Sequence, residues 1–311
     1  MALDDGYLRY PKRRHGYDHE RYDWSMLADR PPIRWPGDKP LAVWINLSLQ
    51  FYPLNQRGVP FKVPGGMTMP YPDLRHFTLR DYGNRVGVYR VLKAFDRSGI
   101  RPTFAINTQL AQQTPYLLAR LLERDGEILC HGWNMDHLHY GGQDRADEAE
   151  IVRRALETLR ELTGQPIRGW LSPARSQSWN TLDLLAENGV AYCADWVNDD
   201  LPYPVSTETG RLTAMPLSSE IEDQVVLSQN LHSELSWVAQ VKDAFDYLLA
   251  EAEREGGRLF ALSLHPWLIG QPHRIACLEE VLDHIGASDR IWQAPAGEIL
   301  DAFLAQTEKD G

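Results

Sequence analysis

The sequence predicts an α/β protein with a parallel sheet wrapped by helices, either an open doubly wound sheet or a barrel. Three observations lead there. Short apolar runs alternate with longer segments of helical period from about residue 41 onward. About seven such β/α units follow one another with no linker-like stretch between them. Polar or aromatic residues recur where the apolar runs end, at Ser48, Gln50, Asn107, His131, Arg175, Asp195, Glu220 and His265, the position at which such folds collect their chemistry.

The elements follow in order. "LAVWINLSL" reads as a strand, and "NRVGVYRVLKAFDRSG" as a helix stopped by its glycine. "PTFAIN" is a strand and "PYLLARLLERDG" a helix; "EILCHGW" is a strand and "DEAEIVRRALETLRELTG" an amphipathic helix. "IRGWLSP" is a strand, "NTLDLLAENG" a helix with an asparagine cap, and "VAYCADW" a strand. "RLTAMPLS", a helix around "VAQVKDAFDYLLAEAEREGG", "RLFALSLHP", "CLEEVLDHIG", "IWQAP" and "GEILDAFLAQ" complete the series.

Two segments break the rhythm. Residues 1–38 are polar and aromatic with several prolines and read as an N-terminal arm over the barrel or a neighbouring subunit. Residues 51–80 are rich in Pro and Gly, lack a helical period and leave a strand end directly, which suits an inserted lid or subunit contact, or else a variable insertion with no role. The expected organisation is thus an arm over 1–38, a single domain over 39–306 with the inserted loop 51–80, and a tail at 307–311.

Composition narrows the function. The net charge of −11 and the absence of a basic, aromatic-interleaved run argue against nucleic-acid binding. No run of 18 apolar residues and no signal-peptide pattern occurs, so a cytoplasmic protein without a membrane span is expected. Cys130, Cys193 and Cys277 are odd in number and far apart, as buried free thiols would be.

Six segments in this order, "LAVWINLSLQ", "RDYGNRVGVYRVL", "GEILCHGW", "GWLSPARSQSWNTLDLLAENGVAYCADWVNDDLPY", "PLSSEIEDQ" and "LSLHPWLIGQPHR", resemble the polysaccharide deacetylase family over about residues 30–306. Within it, the chain is similar to the branch holding the metal-independent allantoinase and cyclic imide hydrolases. The resemblance implies the NodB-type distorted (β/α) barrel and hydrolysis of a non-peptide C–N bond. It also implies a homotetramer.

The family commonly holds a divalent metal with one Asp and two His spaced H-x-x-x-H, a set that polarises a carbonyl and activates water. This sequence departs from that pattern. Ser48 or Gln50 stands where the aspartate would be, His131 matches the first histidine, and Met135 replaces the second. Ser and Met are poor ligands for a hard or borderline ion, so no metal and no other cofactor are expected. His137 and His139 would complete a zinc site only if the local backbone turned inward; otherwise they bond to neighbours or face solvent.

Without a Lewis acid, proton transfer must come from side chains. His131, after an apolar strand, is the candidate base, or else a satisfied core histidine. His265 matches the family's last motif, whose histidine donates a proton to the leaving nitrogen. Asp195 and Glu220 are candidate orienting or basic carboxylates; a helix cap and a solvated loop are their structural alternatives. Arg175 falls in the arginine-bearing motif, here reordered to "SPAR", and is a candidate for holding a carboxylate or a substrate oxygen; Gln50 is a further substrate-binding candidate. Trp133, Trp170, Trp196 and Trp267 adjoin strand-end motifs, and Trp133, Trp196 and Trp267 are taken as substrate-binding walls of a flat apolar pocket.

These residues suggest a hydrolase of a small cyclic amide, ureide or imide. A metal-dependent carbohydrate N-deacetylase and a catalytically inactive barrel that binds a small molecule or a protein are the alternatives.

Overall fold

A computed structural model describes residue 19 and residues 21–23, 25–56 and 72–307. In chain order its strands are β1 (Leu41–Leu49), β2 (Thr103–Ile106), β3 (Glu127–Cys130), β4 (Gly169–Trp170), β5 (Tyr192–Cys193), β6 (Tyr203–Ser206), β7 (Arg211–Ala214), β8 (Arg258–Leu264) and β9 (Ile291–Gln293). The helices are α1 (Leu74–Tyr82), α2 (Val88–Ser98), α3 (Thr108–Gln113), α4 (Pro115–Leu122), α5 (Arg145–Thr163), α6 (Thr181–Glu187), α7 (Glu234–Glu255), α8 (Pro266–Ile269), α9 (Ile275–Gly286) and α10 (Ala296–Thr307).

The sheet runs β6-β7-β5-β4-β3-β2-β1-β8, parallel except for the β6–β7 pair. β8 follows one edge of β1 from Leu41 to Leu47, while β9 and β2 share the other edge, beside residues 41–43 and 46–49. Among the described residues the ladder does not close, since β6 and β8 are its two ends. The sheet is nonetheless curled. Trp44 of β1, Ala105 of β2, Leu129 of β3, Tyr192 of β5 and Ala261 of β8 meet in one buried cluster, although their strands are spread along the sheet. This is the distorted α/β barrel expected from the sequence.

Alternation along β1 shows how the two faces are used. Leu41, Val43, Ile45, Leu47 and Leu49 face the helix layer and pack with Val88, Leu92 and Phe95 of α2. Ala42 and Trp44 face the barrel interior, with Trp35 and with Ile299 and Leu300 of α10. Ile33 and Trp35 therefore belong to the barrel core, and Trp35 Nε1 donates to the Arg258 carbonyl at 2.8 Å. Earlier in the arm, Arg21 forms a two-pronged pair with Asp183, both contacts at 2.8 Å.

The helix boundaries have local causes. The Asp144 carboxylate accepts from the backbone N–H of Ala146 and Asp147 to start α5, and Gly164, at φ +65°, ends it. One boundary differs from the sequence reading. The helix expected from residue 84 begins at Leu74, capped by Asp73, so residues 74–80 are helical rather than part of a structureless loop. A π-turn over Gly83–Gly87 joins α1 to α2. Such a turn inserts a residue into the helical repeat and breaks the 3.6 period on which the sequence argument relied. Residues 57–71, the middle of the expected lid, lie outside the described residues.

Candidate active site

The inner face turns polar toward the C-terminal ends of the strands. On β1 the inward series runs Ala42, Trp44, Asn46, Ser48, with Gln50 next; on β8 it runs Ala261, Ser263, with His265 next; after Leu129 of β3 comes His131. Asn46 Nδ2 donates to Ser48 Oγ at 3.0 Å and to Ser263 Oγ at 3.2 Å, closing a buried polar layer beneath the strand ends.

Above that layer stands His131, buried. Its Nδ1 lies 2.8 Å from the Leu171 carbonyl oxygen, which can only accept, so Nδ1 carries the proton and Nε2 the lone pair. Nε2 is 3.4 Å from Gln50 Nε2. Burial pushes the imidazole down to about 4, against the opposing pull of the Leu171 carbonyl, and the neighbouring His265 and Arg175 lower it further.

His265, equally buried, has a different environment. Asp223 Oδ1 lies 2.7 Å from its Nδ1, and Asp223 Oδ2 accepts from its backbone N–H at 2.9 Å. On the other side of the ring, Glu222 Oε1 is 3.9 Å from Nε2. Glu222 is held by Arg175, whose Nη2 donates to Oε2 at 2.8 Å while Nη1 donates to the Leu217 carbonyl at 2.5 Å. Ala174 and Arg175 both adopt left-handed backbone, φ +54° and +53°, strain of a kind that persists where surrounding contacts over-determine a functional position.

His131, His265, Arg175 and Gln50 are thus brought into one neighbourhood. The carboxylates beside His265 and Arg175 are Asp223 and Glu222, not the two singled out from sequence. Glu220 is exposed, two residues away in the same "EIED" run; choosing among three acids in four residues required the turn that buries two of them. Asp195 spends both oxygens on the loop after β4, accepting from Ser172 N and from Gln177 Nε2, each at 2.6 Å.

The tryptophans separate. Trp267 is buried near the site with the Arg80 guanidinium 3.9 Å over its ring. Trp196 donates to Gln177 Oε1 at 3.0 Å and lines a cleft of about 370 Å³ with Tyr22, Trp179 and Asp195. Trp133, expected in the pocket wall, instead packs in the helix-side core, with Arg154 stacked 3.8 Å over it. Its backbone follows His131 by two residues, but the chain turns at Gly132, φ +66°, and sends it outward. Trp170 lies in the same outer core.

The residues at the family's metal position do not fit an ion. The Ser48 hydroxyl is engaged by Asn46, and Met135 is buried with its backbone N–H bonded to the Phe51 carbonyl at 3.0 Å. Among the described residues no three His, Cys, Asp or Glu side chains are grouped to hold a metal. His137 does not complete a set, since its Nδ1 is 2.7 Å from Asn134 Oδ1. His139 is buried with Nδ1 3.1 Å from Glu148 Oε1 and its ring 5.9 Å from that of Trp170.

Comparison with known proteins agrees with this architecture. Residues 78–193 match the family model described as polysaccharide deacetylase. A candidate polysaccharide deacetylase of Schizosaccharomyces pombe is 22% identical over 93% of this chain and 98% of its own length. Among solved structures, Puue allantoinase superposes with a TM-score of 0.82 at 26% identity, covering 96% of this chain and 99% of that one. A probable polysaccharide deacetylase from Pseudomonas aeruginosa PAO1 gives 0.80 at 27% identity, with the same coverage.

Proposed function

We propose that this chain, whose residues 78–193 match the polysaccharide deacetylase family model, is a hydrolase of C–N bonds other than peptide bonds whose substrate is a small cyclic amide, ureide or imide, cleaved by side-chain acid–base chemistry. One observation carries the reading: two buried imidazoles share the strand-end face, the ring of His265 paired with the Asp223 carboxylate and that of His131 with the Leu171 carbonyl. Paired titratable groups with opposed environments divide the roles of acid and base.

The neutral ring of His131 presents Nε2 to a water and takes its proton as the oxygen attacks the substrate carbonyl carbon. The C=O π bond breaks to an oxyanion while the C–O bond forms. Collapse of that intermediate breaks the C–N bond, and His265 Nε2 delivers a proton to the departing nitrogen. Asp223, at Nδ1, holds the ring so that Nε2 faces the substrate for this step. Arg175 holds Glu222 beside His265.

The overlap of nearly the whole chain with an allantoinase structure supports the substrate class. Relatives described as polysaccharide and peptidoglycan deacetylases favour a second reading, carbohydrate N-deacetylation, but the donor set above gives it no metal centre. Purified protein should be offered cyclic ureides and imides alongside N-acetylated sugars, with and without chelator. Chelator-insensitive ring opening supports the proposal; chelator-sensitive acetate release overturns it. A homotetramer in the cytoplasm also remains a proposal, to be tested by light scattering and cell fractionation. Among the described residues no helix is long and apolar enough to cross a membrane.

A further inference from the structure

Behind His131 lies a chain of contacts that the mechanism does not use. Arg80, on α1, is buried with its guanidinium sandwiched 4.3 Å from the Tyr52 ring and 3.9 Å from the Trp267 ring. Its Nη1 donates to Gln50 Oε1 at 3.2 Å and to the Tyr52 hydroxyl at 3.0 Å, and that hydroxyl lies 3.4 Å from the same Gln50 oxygen. The Gln50 carbonyl oxygen adds a further anchor, accepting from Asn84 Nδ2 at 2.9 Å.

A glutamine side chain has one acceptor end and one donor end, so what binds one end decides what the other offers. We infer that Arg80 is a positioning residue for this site: by engaging Gln50 Oε1 it turns the Gln50 amide so that an N–H, not an oxygen, faces His131 Nε2, and that nitrogen remains an acceptor. The inference rests on the reading of His131 as the base.

The opposite orientation would present an oxygen to Nε2, which can satisfy only an imidazolium and would disable the base. At 3.4 Å the Gln50 contact is long for a hydrogen bond, so a water can displace it at little cost. The charged groups acting on the ring are His265 from the end of β8 and Arg175 from the loop after β4. Both disfavour a positive ring directly, whereas Arg80 acts on it through the orientation of Gln50. Because α1 follows the inserted segment, this arrangement also ties the helix after the insertion to the protonation state of a strand-end histidine.

The test needs no substrate. Nitrogen-15 NMR of the full chain, with histidine ring nitrogens labelled and His131 assigned through His131→Gln, reads the titration midpoint of that ring directly. In Arg80→Met, Gln50 Oε1 loses its charged donor and keeps only the long 3.4 Å contact from the Tyr52 hydroxyl, so the amide can flip and the midpoint should rise by at least about one pH unit. In the double variant Arg80→Met/Gln50→Leu no oxygen can turn inward, and the midpoint should fall back most of the way to the wild-type value. Equal midpoints in the single and double variants would show that only the Arg80 charge matters, and would overturn the inference; so would no change in Arg80→Met. Should loss of the buried arginine prevent folding, Gln50→Glu keeps Arg80 and places a carboxylate oxygen at Nε2. A clear rise there supports the geometry, and an unchanged midpoint refutes it. If the midpoints behave as expected but no cyclic amide is turned over, the positioning stands and the substrate assignment fails.

Discussion

Asp223 grips His265 at two points, with Oδ1 2.7 Å from the ring Nδ1 and Oδ2 accepting the backbone N–H of the same residue at 2.9 Å. One buried carboxylate therefore sets both the chain position and the ring orientation of the histidine. Asp223→Asn keeps the shape but replaces one acceptor oxygen by a donor. It should lower turnover by about two to four orders of magnitude with circular dichroism unchanged, as should His131→Ala and His265→Ala. His137→Ala should change turnover much less, and a comparable loss there would reopen the assignment.

The depressed titration of His131 gives a pH signature. With the folded ring near 4 and an unfolded histidine near 6.5, its contribution to stability is fully present above about pH 6.5 and is lost as pH falls toward 4. Activity that needs the neutral ring should persist to unusually low pH, and the acid limb of kcat/KM should lie near 4. A limb near 6.5 that vanishes in His131→Gln would contradict the burial argument.

Glu148 is buried between His139, Ser178 and Thr181. Ser178 Oγ and Thr181 Oγ1 donate to it at 2.5 and 2.6 Å. Burial alone would raise its carboxyl, but the contacts from His139, Ser178 and Thr181 outweigh that and leave it below the usual range. Its stabilisation is present above the ordinary glutamate value and disappears as pH falls below it. Glu148→Ala should cost about 3 kcal/mol in urea unfolding at neutral pH, with a smaller difference at pH 3.

Ala174 holds left-handed backbone without the freedom of glycine. Ala174→Gly removes that strain and should raise stability by about 1 kcal/mol, less the extra entropy of the unfolded chain. Activity should fall if the rigid turn is what aims Arg175 at Glu222. Thermal melts and steady-state rates read the two effects separately.

Gly87 lies against the turn that follows His265: an added Cβ would stand 2.1 Å from the Pro266 carbonyl oxygen. Backbone cannot yield there as a flexible side chain would, so Gly87→Ala should displace α8 and the histidine before it. Loss of activity together with a destabilisation of about 2 kcal/mol or more is expected. Gly286→Ala, with open space around its Cβ, is the matched control.

Much of the fold was readable in the sequence because its signals are local. β1 spans the residues of the "LAVWINLSL" run, and α5 ends at the glycine of "RELTG"; periodicity, caps and stops act within a few residues. The strand-end rule likewise singled out His131, His265, Arg175 and Gln50, which lie at or just beyond strand ends in the fold, because the end of an apolar run is itself a local signal. β6, the antiparallel strand, and α1 escaped, one because pairing with β7 outweighs its weak pattern and the other because a π-turn interrupts the helical phase.

What the tertiary structure alone decided was which side chains meet. Asp223 pairs with His265 across 42 residues, Arg175 with Glu222 across 47, and Arg80 reaches Gln50 across 30. Nothing in the spacing of "EIED" says that Glu220 points to solvent while Glu222 and Asp223 turn inward, and nothing in "HGW" says that Trp133 leaves the pocket. Local patterns select the elements, because propensity and burial periodicity are short-range. The partners within a site are chosen by how the curled sheet brings distant strand ends together, which no single stretch of chain encodes.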